Sequence, residues 1–427
     1  MTLVVTIVFA LAFFALLLVS IALHEIGHMV PAKLFGVKVP RYFVGFGPTL
    51  WSTRRGATEY GLKWIPLGGF VQLLGMYPPR RPDAKPTRWQ NFADEARAAE
   101  WDEITPADRG HLFHERKTWQ KLIIMFGGPA MNLLIAFVLM WGVLGTYGAW
   151  RAQPVVQSVA PCVITEQRED TACQPSDPVS PAAAAGLLAG DRIVAFNGTP
   201  IAGYDQLTAL IRDNMGGPAT LVVERDGQRV TLPTVNTLIL QVPATLDPSR
   251  AVDAGWLGVV PTYVHATGGP VEAIGDLWLM TKQSVVALAQ FPVKVWNLAV
   301  DLVTGKPRDL YSPVSIVGAS ALAGQAAASD QATVADKAAL FANLLAAVNL
   351  FLALFNLVPL PPLDGGHMAG ALWEGLKRGV ARLARRPDPG YIDTAKMVPV
   401  TYVVGGFLLL CGLVVIVADI VKPLQLF

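Results

Sequence analysis

Two histidines and one glutamate stand where a long uncharged segment of the chain ends. Residues 21–30 read IALHEIGHMV, and none of residues 1–23 has a charged side chain. Positions i and i+4 share one face of an α-helix, so His24 and His28 can direct imidazole nitrogens at one ion. Zinc takes such ligands, and three protein ligands leave a position for water. Glu25 can accept a proton from that water, so the motif predicts a catalytic zinc site with Glu25 as general base.

The segment NLVPLPPLDGG at residues 356–366 supplies a candidate for the third ligand. Its three prolines prevent an α-helix because proline lacks the backbone donor, and its two glycines allow a sharp turn. Irregular backbone at membrane depth is tolerated only where it lines protein or a cavity. We therefore expect Asp364 to be the third ligand. The Asn356 amide is a candidate substrate-binding group for a carbonyl or an oxyanion, or it makes a helix–helix hydrogen bond.

Four long uncharged runs predict transmembrane helices. They lie at residues 3–23, 122–150, 338–363 and 397–418, and each reaches the roughly 20 residues that cross a bilayer as a helix. Only 15% of the 427 residues are charged, whereas soluble domains have about a quarter. No Lys or Arg precedes Lys33, so we expect the first run to be retained rather than cleaved as a signal peptide.

The distribution of basic residues predicts how the helices are oriented. Residues 33–121 contain fifteen Lys and Arg, residues 151–280 contain seven and residues 363–397 contain six. Since cytoplasmic loops are enriched in Lys and Arg, we expect the first and last loops to be cytoplasmic. The middle region and both termini would then be extracytoplasmic, in a multi-pass plasma-membrane protein. A net charge of +2 gives no indication of nucleic-acid binding.

An apolar, glycine-rich stretch between the first two helices predicts a membrane-associated β-hairpin at residues 37–75. The turn lies at residues 54–56, which read RRG. The edge of such a hairpin can bind an extended peptide by adding it as a further strand, or the hairpin is only a structural plug. Gly45 and Gly47 form a bend that sets how the hairpin enters the membrane face, and they are candidate substrate-binding residues.

The region after the second helix predicts a soluble α+β domain of about 100 residues, with a hairpin around Asp226-Gly227. Its two cysteines, Cys162 and Cys173, either form a disulfide or remain free thiols. Lys282 and Lys294 interrupt the following apolar stretch, so we expect an interfacial helix there. The predicted boundaries are 1–32 first helix, 33–121 cytoplasmic loop, 122–150 second helix, 151–262 extracytoplasmic domain, 263–337 interfacial helix and linker, 338–366 third helix, 367–396 cytoplasmic loop and 397–421 fourth helix.

Together these motifs resemble those of the site-2 proteases, which are intramembrane zinc metalloproteases. HEIGH and NLVPLPPLDGG match the family's H-E-x-x-H and N-x-x-P-x-P-x-L-D-G patterns, and GGPAMN fits its G-x-x-x-N element through Gly128 and Asn132. The resemblance implies that the inserted domain is PDZ-like. It also implies a single-pass membrane substrate, such as an anti-sigma factor, that has already been cut outside the membrane. The ligands would be His24, His28 and Asp364, and the base Glu25.

Two other classes of protein fit parts of the sequence. A non-catalytic scaffold would present the PDZ-like domain and hold a structural zinc, but such a site has no use for a base beside a ligand. A transporter would bind its solute at the proline segment, but no internal repeat is visible. His111 and His114 have a spacing that also suits a second metal site. We predict an intramembrane zinc metalloprotease built from about four transmembrane helices, the hairpin and the inserted domain.

Overall fold

The computed structural model describes residues 2–80, 88–164, 172–328 and 332–424. The chain forms two compact units, one of Met1–Val143 with Pro270–Phe427 and one of Leu144–Gly269. Much of the segment between the two predicted partner cysteines, and part of the predicted linker before the third helix, lie outside the described residues.

The first unit is mainly helical, and the second is a mixed α+β unit. Within the described residues the helices are α1 (Thr2–Leu34), α2 (Arg88–Trp101), α3 (Thr118–Thr146), α4 (Pro181–Ala184), α5 (Tyr204–Asp213), α6 (Pro270–Thr304), α7 (Ile316–Ala328), α8 (Val334–Asn356), α9 (Asp364–Leu383) and α10 (Val398–Val421). The strands are β1 (Arg41–Arg55), β2 (Thr58–Gln72), β3 (Ala149–Val159), β4 (Arg192–Phe196), β5 (Thr199–Pro200), β6 (Pro218–Ala219), β7 (Leu221–Arg225), β8 (Gln228–Thr231), β9 (Val235–Asn236), β10 (Leu238–Pro243), β11 (Ala251–Trp256) and β12 (Val259–Ala266).

Five of the described helices, α1, α3, α6, α8 and α10, are long and apolar enough to cross a membrane. The sequence predicted about four and treated α6 as an interfacial helix, because Lys282 and Lys294 interrupt its apolar residues. In the structure one helix of 35 residues runs through both lysines and through Pro292. Its length and composition therefore make it a fifth candidate span. The prediction of a polytopic helical membrane protein is confirmed at this coarser level.

Helix α1 packs between α3 and α8 through small and polar contacts. A Cβ atom added to Gly27 would overlap the backbone of Gly127, and the reverse is also true. Only glycine allows the two backbones to approach so closely. On the α8 side the fully buried Asn349 donates a hydrogen bond from Nδ2 to Ser20 Oγ at 3.2 Å. These contacts hold α1 at a defined height and rotation relative to its neighbours.

The predicted hairpin is present as β1 and β2, but its strands are folded into shorter segments. Residues 41–44 lie between two segments of β2, with residues 59–62 on one side and residues 69–72 on the other. Residues 51–55 pair with residues 58–62 across the turn. Among the described residues, the 69–72 segment has no further strand on its outer side, so it is an edge.

The second unit has its own core and one disulfide. Strands β12, β3, β4, β7 and β8 follow one another in its main sheet. Leu207 of α5 and Leu221 and Val223 of β7 are completely buried in its core. Cys162 and Cys173 are bonded, with their Cα atoms 5.9 Å apart, so of the two alternatives the disulfide is the one formed.

Candidate metal centre

Three side chains meet where α1 is closest to the first turn of α9. Asp364 Oδ2 lies 3.4 Å from His24 Nε2 and 3.3 Å from His28 Nε2. The two Nε2 atoms are 3.2 Å apart. Among the described residues, this is the one group of three or more potential ligands that could hold a metal ion, and its ligand atoms lie within 4.8 Å of one another. The H-E-x-x-H spacing and the LDG motif therefore converge on one point.

The chemistry of this donor set fits a metal ion. His28 Nδ1 donates a hydrogen bond to the Ile124 carbonyl at 2.7 Å, which leaves the Nε2 lone pair facing Asp364 and fixes the ring orientation. Asp364 Oδ2 is buried and accepts no hydrogen bond among the described residues. An unpaired buried carboxylate oxygen is costly, and a cation held by one carboxylate and two imidazoles would satisfy it. This is a donor set that zinc commonly uses.

Glycines of α3 make room for the two histidines. A Cβ atom on Gly128 would overlap His28 Nε2 and would lie 2.7 Å from His24 Nε2. The family resemblance pointed to Gly128, but sequence reasoning missed the Gly27–Gly127 contact that brings α3 this close. Its signal was the adjacent pair of glycines in FGGPAMN. Asn132 of the same element is buried, and its Oδ1 has no hydrogen-bond partner among the described residues.

The proline segment folds back on the start of α9 and places Asp364 at the first helical position. A Cβ atom on Gly365 would overlap the Leu357 and Val358 carbonyls. One on Gly366 would lie 2.7 Å from Pro361 N. Both glycines are therefore required by close backbone approach, as the sequence predicted. The result is a short irregular connection that brings the carboxylate to the histidines.

Glu25 and the hairpin edge are neighbours. A Cβ atom on Gly69 would lie 3.3 Å from Glu25 Cγ, so the free edge formed by residues 69–72 passes the side chain that follows the first histidine. Gly45 and Gly47 both have positive φ angles, of 91° and 86°. A Cβ atom on Gly45 would lie 2.8 Å from the Ile65 carbonyl. These glycines shape the bend between the segments of β1.

The Asn356 side chain has no hydrogen-bond partner within the described part of the chain, and the residue is half-buried at the end of α8. The helix–helix hydrogen bond that the sequence allowed for Asn356 is made instead by Asn349, two turns earlier. The Asn356 amide is therefore available to another chain. Its role in binding substrate stays a prediction.

The remaining histidines form no second cluster among the described residues. His111 Nδ1 donates to the Gly36 carbonyl and His114 Nδ1 to the Gly75 carbonyl, so each has a structural partner. His265 lies against the rings of Tyr147 and Trp150. The alternative of a second metal at residues 111 and 114 has no support in this geometry.

The chain is similar to known proteins over most of its length. Residues 12–385 match peptidase family M50. The chain belongs to this family, the site-2 proteases. It is 36% identical to the zinc metalloprotease Rip1 of Mycobacterium tuberculosis (strain H37Rv), over 99% of this chain and 98% of that protein. Rip1 of Mycolicibacterium smegmatis is similar to the same degree, at 36% identity over 99% of this chain and 98% of its own.

This M50 protease is accordingly a zinc metalloprotease of the membrane. The predicted family, enzyme class and metal are confirmed by these similarities. The His24, His28 and Asp364 cluster is the candidate zinc site.

Proposed function

We propose that this M50 protease hydrolyses peptide bonds within or near transmembrane segments of single-pass membrane proteins. His24, His28 and Asp364 would hold the zinc ion, and Glu25 would act as general base. The observation that carries the proposal is the convergence of three ligand atoms beside Glu25 and the free hairpin edge at residues 69–72. A structural zinc site would need neither the base nor the edge.

A bound zinc ion would supply the positive charge that makes water acidic enough to attack and that polarises the scissile carbonyl. Glu25 accepts a proton from the attacking water as its oxygen bonds to the carbonyl carbon. The C–N bond then breaks, and Glu25 returns the proton to the departing amine nitrogen. The Ile124 carbonyl holds the His28 ring in one tautomer throughout. The Asn356 amide would donate a hydrogen bond to a substrate carbonyl.

A helical peptide bond is shielded by its own hydrogen bonds, so the substrate must be extended before it is cut. The hairpin edge can receive it by strand addition. The outer part of the hairpin has three exposed aromatic side chains, those of Phe46, Trp51 and Trp64. Such aromatic groups are enriched at membrane interfaces, which supports an association of the hairpin with the bilayer. Gly45 and Gly47 would set the angle at which it enters.

The orientation that we propose follows from the basic residues. Residues 33–121 and 367–396 are the cytoplasmic loops, and the second unit and both termini are extracytoplasmic in the plasma membrane. The Cys162–Cys173 disulfide supports an oxidising compartment for the second unit. We propose that this unit is PDZ-like and meets a substrate, such as an anti-sigma factor, that has already been cut outside the membrane. It either binds the new carboxyl terminus or excludes bulky uncut chains.

The deciding experiment is cleavage of a model transmembrane segment by the purified protein in detergent. Wild type, Glu25→Gln and Glu95→Gln are compared, with bound zinc measured in each. Glu95 is an exposed residue of α2, so its variant controls for the loss of one carboxylate. We expect Glu25→Gln to lose about 10²-fold or more of the activity at unchanged zinc, and Glu95→Gln to match wild type. Full activity of Glu25→Gln would contradict the proposed base. Zinc loss in Glu25→Gln would mean that Glu25 supports the site rather than the chemistry.

A further inference from the structure

The α9 helix has an exposed apolar stripe on the side opposite its packed face. The packed side contains Ala371 and Glu374, which are 6% and 3% exposed. The stripe residues are 53–88% exposed, and at about 100° per residue they fall within one sector of about 100°. They are Leu372, Trp373, Leu376, Val380 and Leu383. A helix in water would have polar residues on this side.

A buried ion pair between Lys121 and Glu374 prevents the stripe from turning inward. Lys121 Nζ of α3 donates to both carboxylate oxygens of Glu374, at 2.9 and 3.0 Å. Arg378 pairs with Glu374 at 3.1 Å and with Asp388 at 3.3 Å. Breaking a buried pair is strongly destabilising because it leaves an uncompensated charge. The rotation of α9 about its axis is therefore fixed by its packed side.

The position of α9 in the chain places the stripe at a bilayer surface. It lies between two candidate spans, since α8 ends at Asn356 and the last span begins at Thr394. A segment between two successive crossings stays on one face of the membrane. Amphipathic helices at this level bury their apolar side between headgroups and acyl chains. The exposed stripe of α9 has the residues for this, including a tryptophan.

A basic groove lies beside the stripe. The groove has a volume of about 470 Å³, and its lining includes Trp373, Lys377, Val380 and Arg386. Lys377 Nζ stands 5.3 Å from the centre of the Trp373 ring. Four exposed basic side chains have no acidic partner among the described residues. They are Lys377, Arg382, Arg385 and Arg386.

We propose that α9 lies in the membrane interface and that this groove binds the phosphate headgroup of an anionic phospholipid. Charge complementarity selects this occupant, because unpaired basic groups flank an apolar surface at headgroup level. The acyl chains would continue along the stripe. Asp364 is the first residue of the same helix, so lipid binding would also hold the helix that carries the proposed zinc ligand. That last consequence rests on the proposed function, whereas the lipid site does not.

Depth-dependent quenching tests the site in the whole protein. A nitrobenzoxadiazole label is attached at Leu383→Cys in a Cys411→Ser background. Leu383 belongs to the stripe but does not line the groove. The protein is reconstituted into phosphatidylcholine bilayers that contain spin-labelled phosphatidylglycerol or, in parallel, spin-labelled phosphatidylcholine at the same mole fraction. We expect spin-labelled phosphatidylglycerol to quench the label about twofold or more strongly than spin-labelled phosphatidylcholine. The reason is that each basic residue near a membrane surface contributes about 1 kcal/mol to the binding of anionic lipid.

Two triple variants decide whether the groove is responsible. The first variant combines Lys377→Gln, Arg382→Gln and Arg386→Gln. In it the two spin-labelled lipids should quench the label equally. Arg109→Gln, Lys117→Gln and Lys396→Gln remove three other exposed positive charges and should leave the preference intact. Absence of quenching by either lipid would overturn the interfacial location. Equal quenching in the wild type, or equal loss of preference in both triple variants, would overturn the headgroup site. No readout depends on proteolysis, so the outcome is independent of the proposed function.

Discussion

The metal centre and the hairpin both depend on glycine, but not for the same set of reasons. At the metal centre a Cβ atom on Gly27, Gly127 or Gly128 would overlap backbone or ligand atoms. In the hairpin Gly45, Gly47, Gly56 and Gly68 have positive φ angles, and at Gly47 and Gly56 an added Cβ atom would meet only ordinary contacts or none. Close approach alone therefore accounts for the glycines of the first region, whereas in the second region backbone conformation also requires glycine.

This difference suits the two tasks proposed for these regions. A metal site must hold its ligands within narrow limits, and its helices are locked by contacts that no other residue could make. A surface that adds a substrate strand must leave backbone groups free at an edge. The hairpin keeps such an edge at residues 69–72, directly beside Glu25.

The largest expected effect is on the metal centre and comes from removing its carboxylate. Asp364→Ala should lower zinc affinity by more than the 10- to 100-fold that loss of an outer-shell partner costs, and activity should fall with it. Zinc content after dialysis against a graded chelator measures this. Unchanged zinc binding would remove Asp364 from the ligand set.

A methyl group added where α3 contacts α1 should weaken the metal centre by steric overlap alone. Gly128→Ala places a Cβ atom against His28 Nε2, and overpacking costs about 1–3 kcal/mol, which corresponds to about 5- to 150-fold in zinc affinity. Gly142→Ala, on the same helix with nothing within 4 Å of its Cβ position, is the matched control. Zinc titration of both variants is the measurement. Equal affinities would mean that α3 can move away from α1.

A third prediction concerns the hairpin and tests which of its two outer segments receives the substrate. Phe70→Pro removes a backbone donor from the segment beside Glu25, which pairs with residues 41–44, and the loss of one hydrogen bond of about 1 kcal/mol from this segment predicts about a fivefold lower kcat/KM. Ser52→Pro changes the other outer segment, at residues 51–55, and should have less effect. Phe70→Ala separates the loss of the ring from the loss of the donor. Zinc binding should be unchanged in all three, and a parallel loss of zinc would indicate misfolding instead.

The smallest effect should come from the base of the hairpin. Lys38 Nζ hydrogen-bonds Asp108 Oδ1 at 2.6 Å and holds the pKa of Asp108 down at about 2. Because this folded-state pKa is depressed, the stabilising contribution is complete above the ordinary aspartate pKa of about 3.9 and is lost as the pH falls through about 2.

Asp108→Asn should therefore speed hydrogen exchange of the β1 amides at pH 7 by a few-fold at most. The difference from wild type should shrink as the pH falls below about 4. Asp102→Asn, a nearby exposed residue, should exchange like wild type at every pH. A difference that persisted unchanged to pH 2 would show that the hydrogen-bond geometry, and not the charge, anchors the hairpin.

The sequence contained the candidate ligands of the site but not the contacts that set their spacing. H-E-x-x-H and LDG identify side chains by their chemistry, and the i, i+4 rule already places two of them together. The approach of α3 depends on the pairing of Gly27 with Gly127, residues one hundred positions apart, and no local pattern encodes a long-range contact. The bend at Gly45 and Gly47 was predicted, but the position of residues 41–44 between two segments of β2 was not, because that pairing depends on contacts along the folded strands. The hydrogen bond of Asn349 was not predicted, because the sequence of an apolar helix does not show which neighbour an isolated asparagine contacts.

The contacts of α6 bear on how many times we expect the chain to cross the membrane. Helices α1 and α8 run in the same direction towards the metal level, since Phe13 contacts Phe341 and Ser20 contacts Asn349. Helix α3 begins at the metal level, at the Ile124 carbonyl, and runs the other way. We therefore expect an even number of crossings between the end of α3 and the start of α8.

Helix α7 has 13 residues and spans about 20 Å, which is less than the roughly 30 Å of the hydrocarbon layer. It cannot make the compensating crossing. Lys422, just beyond the end of α10, donates a hydrogen bond to the Asp301 carbonyl near the end of α6. We therefore expect α6 to start and end on the face opposite the metal. The chain would then cross the membrane four times, and we predict that a reporter fused to either terminus gives the same signal.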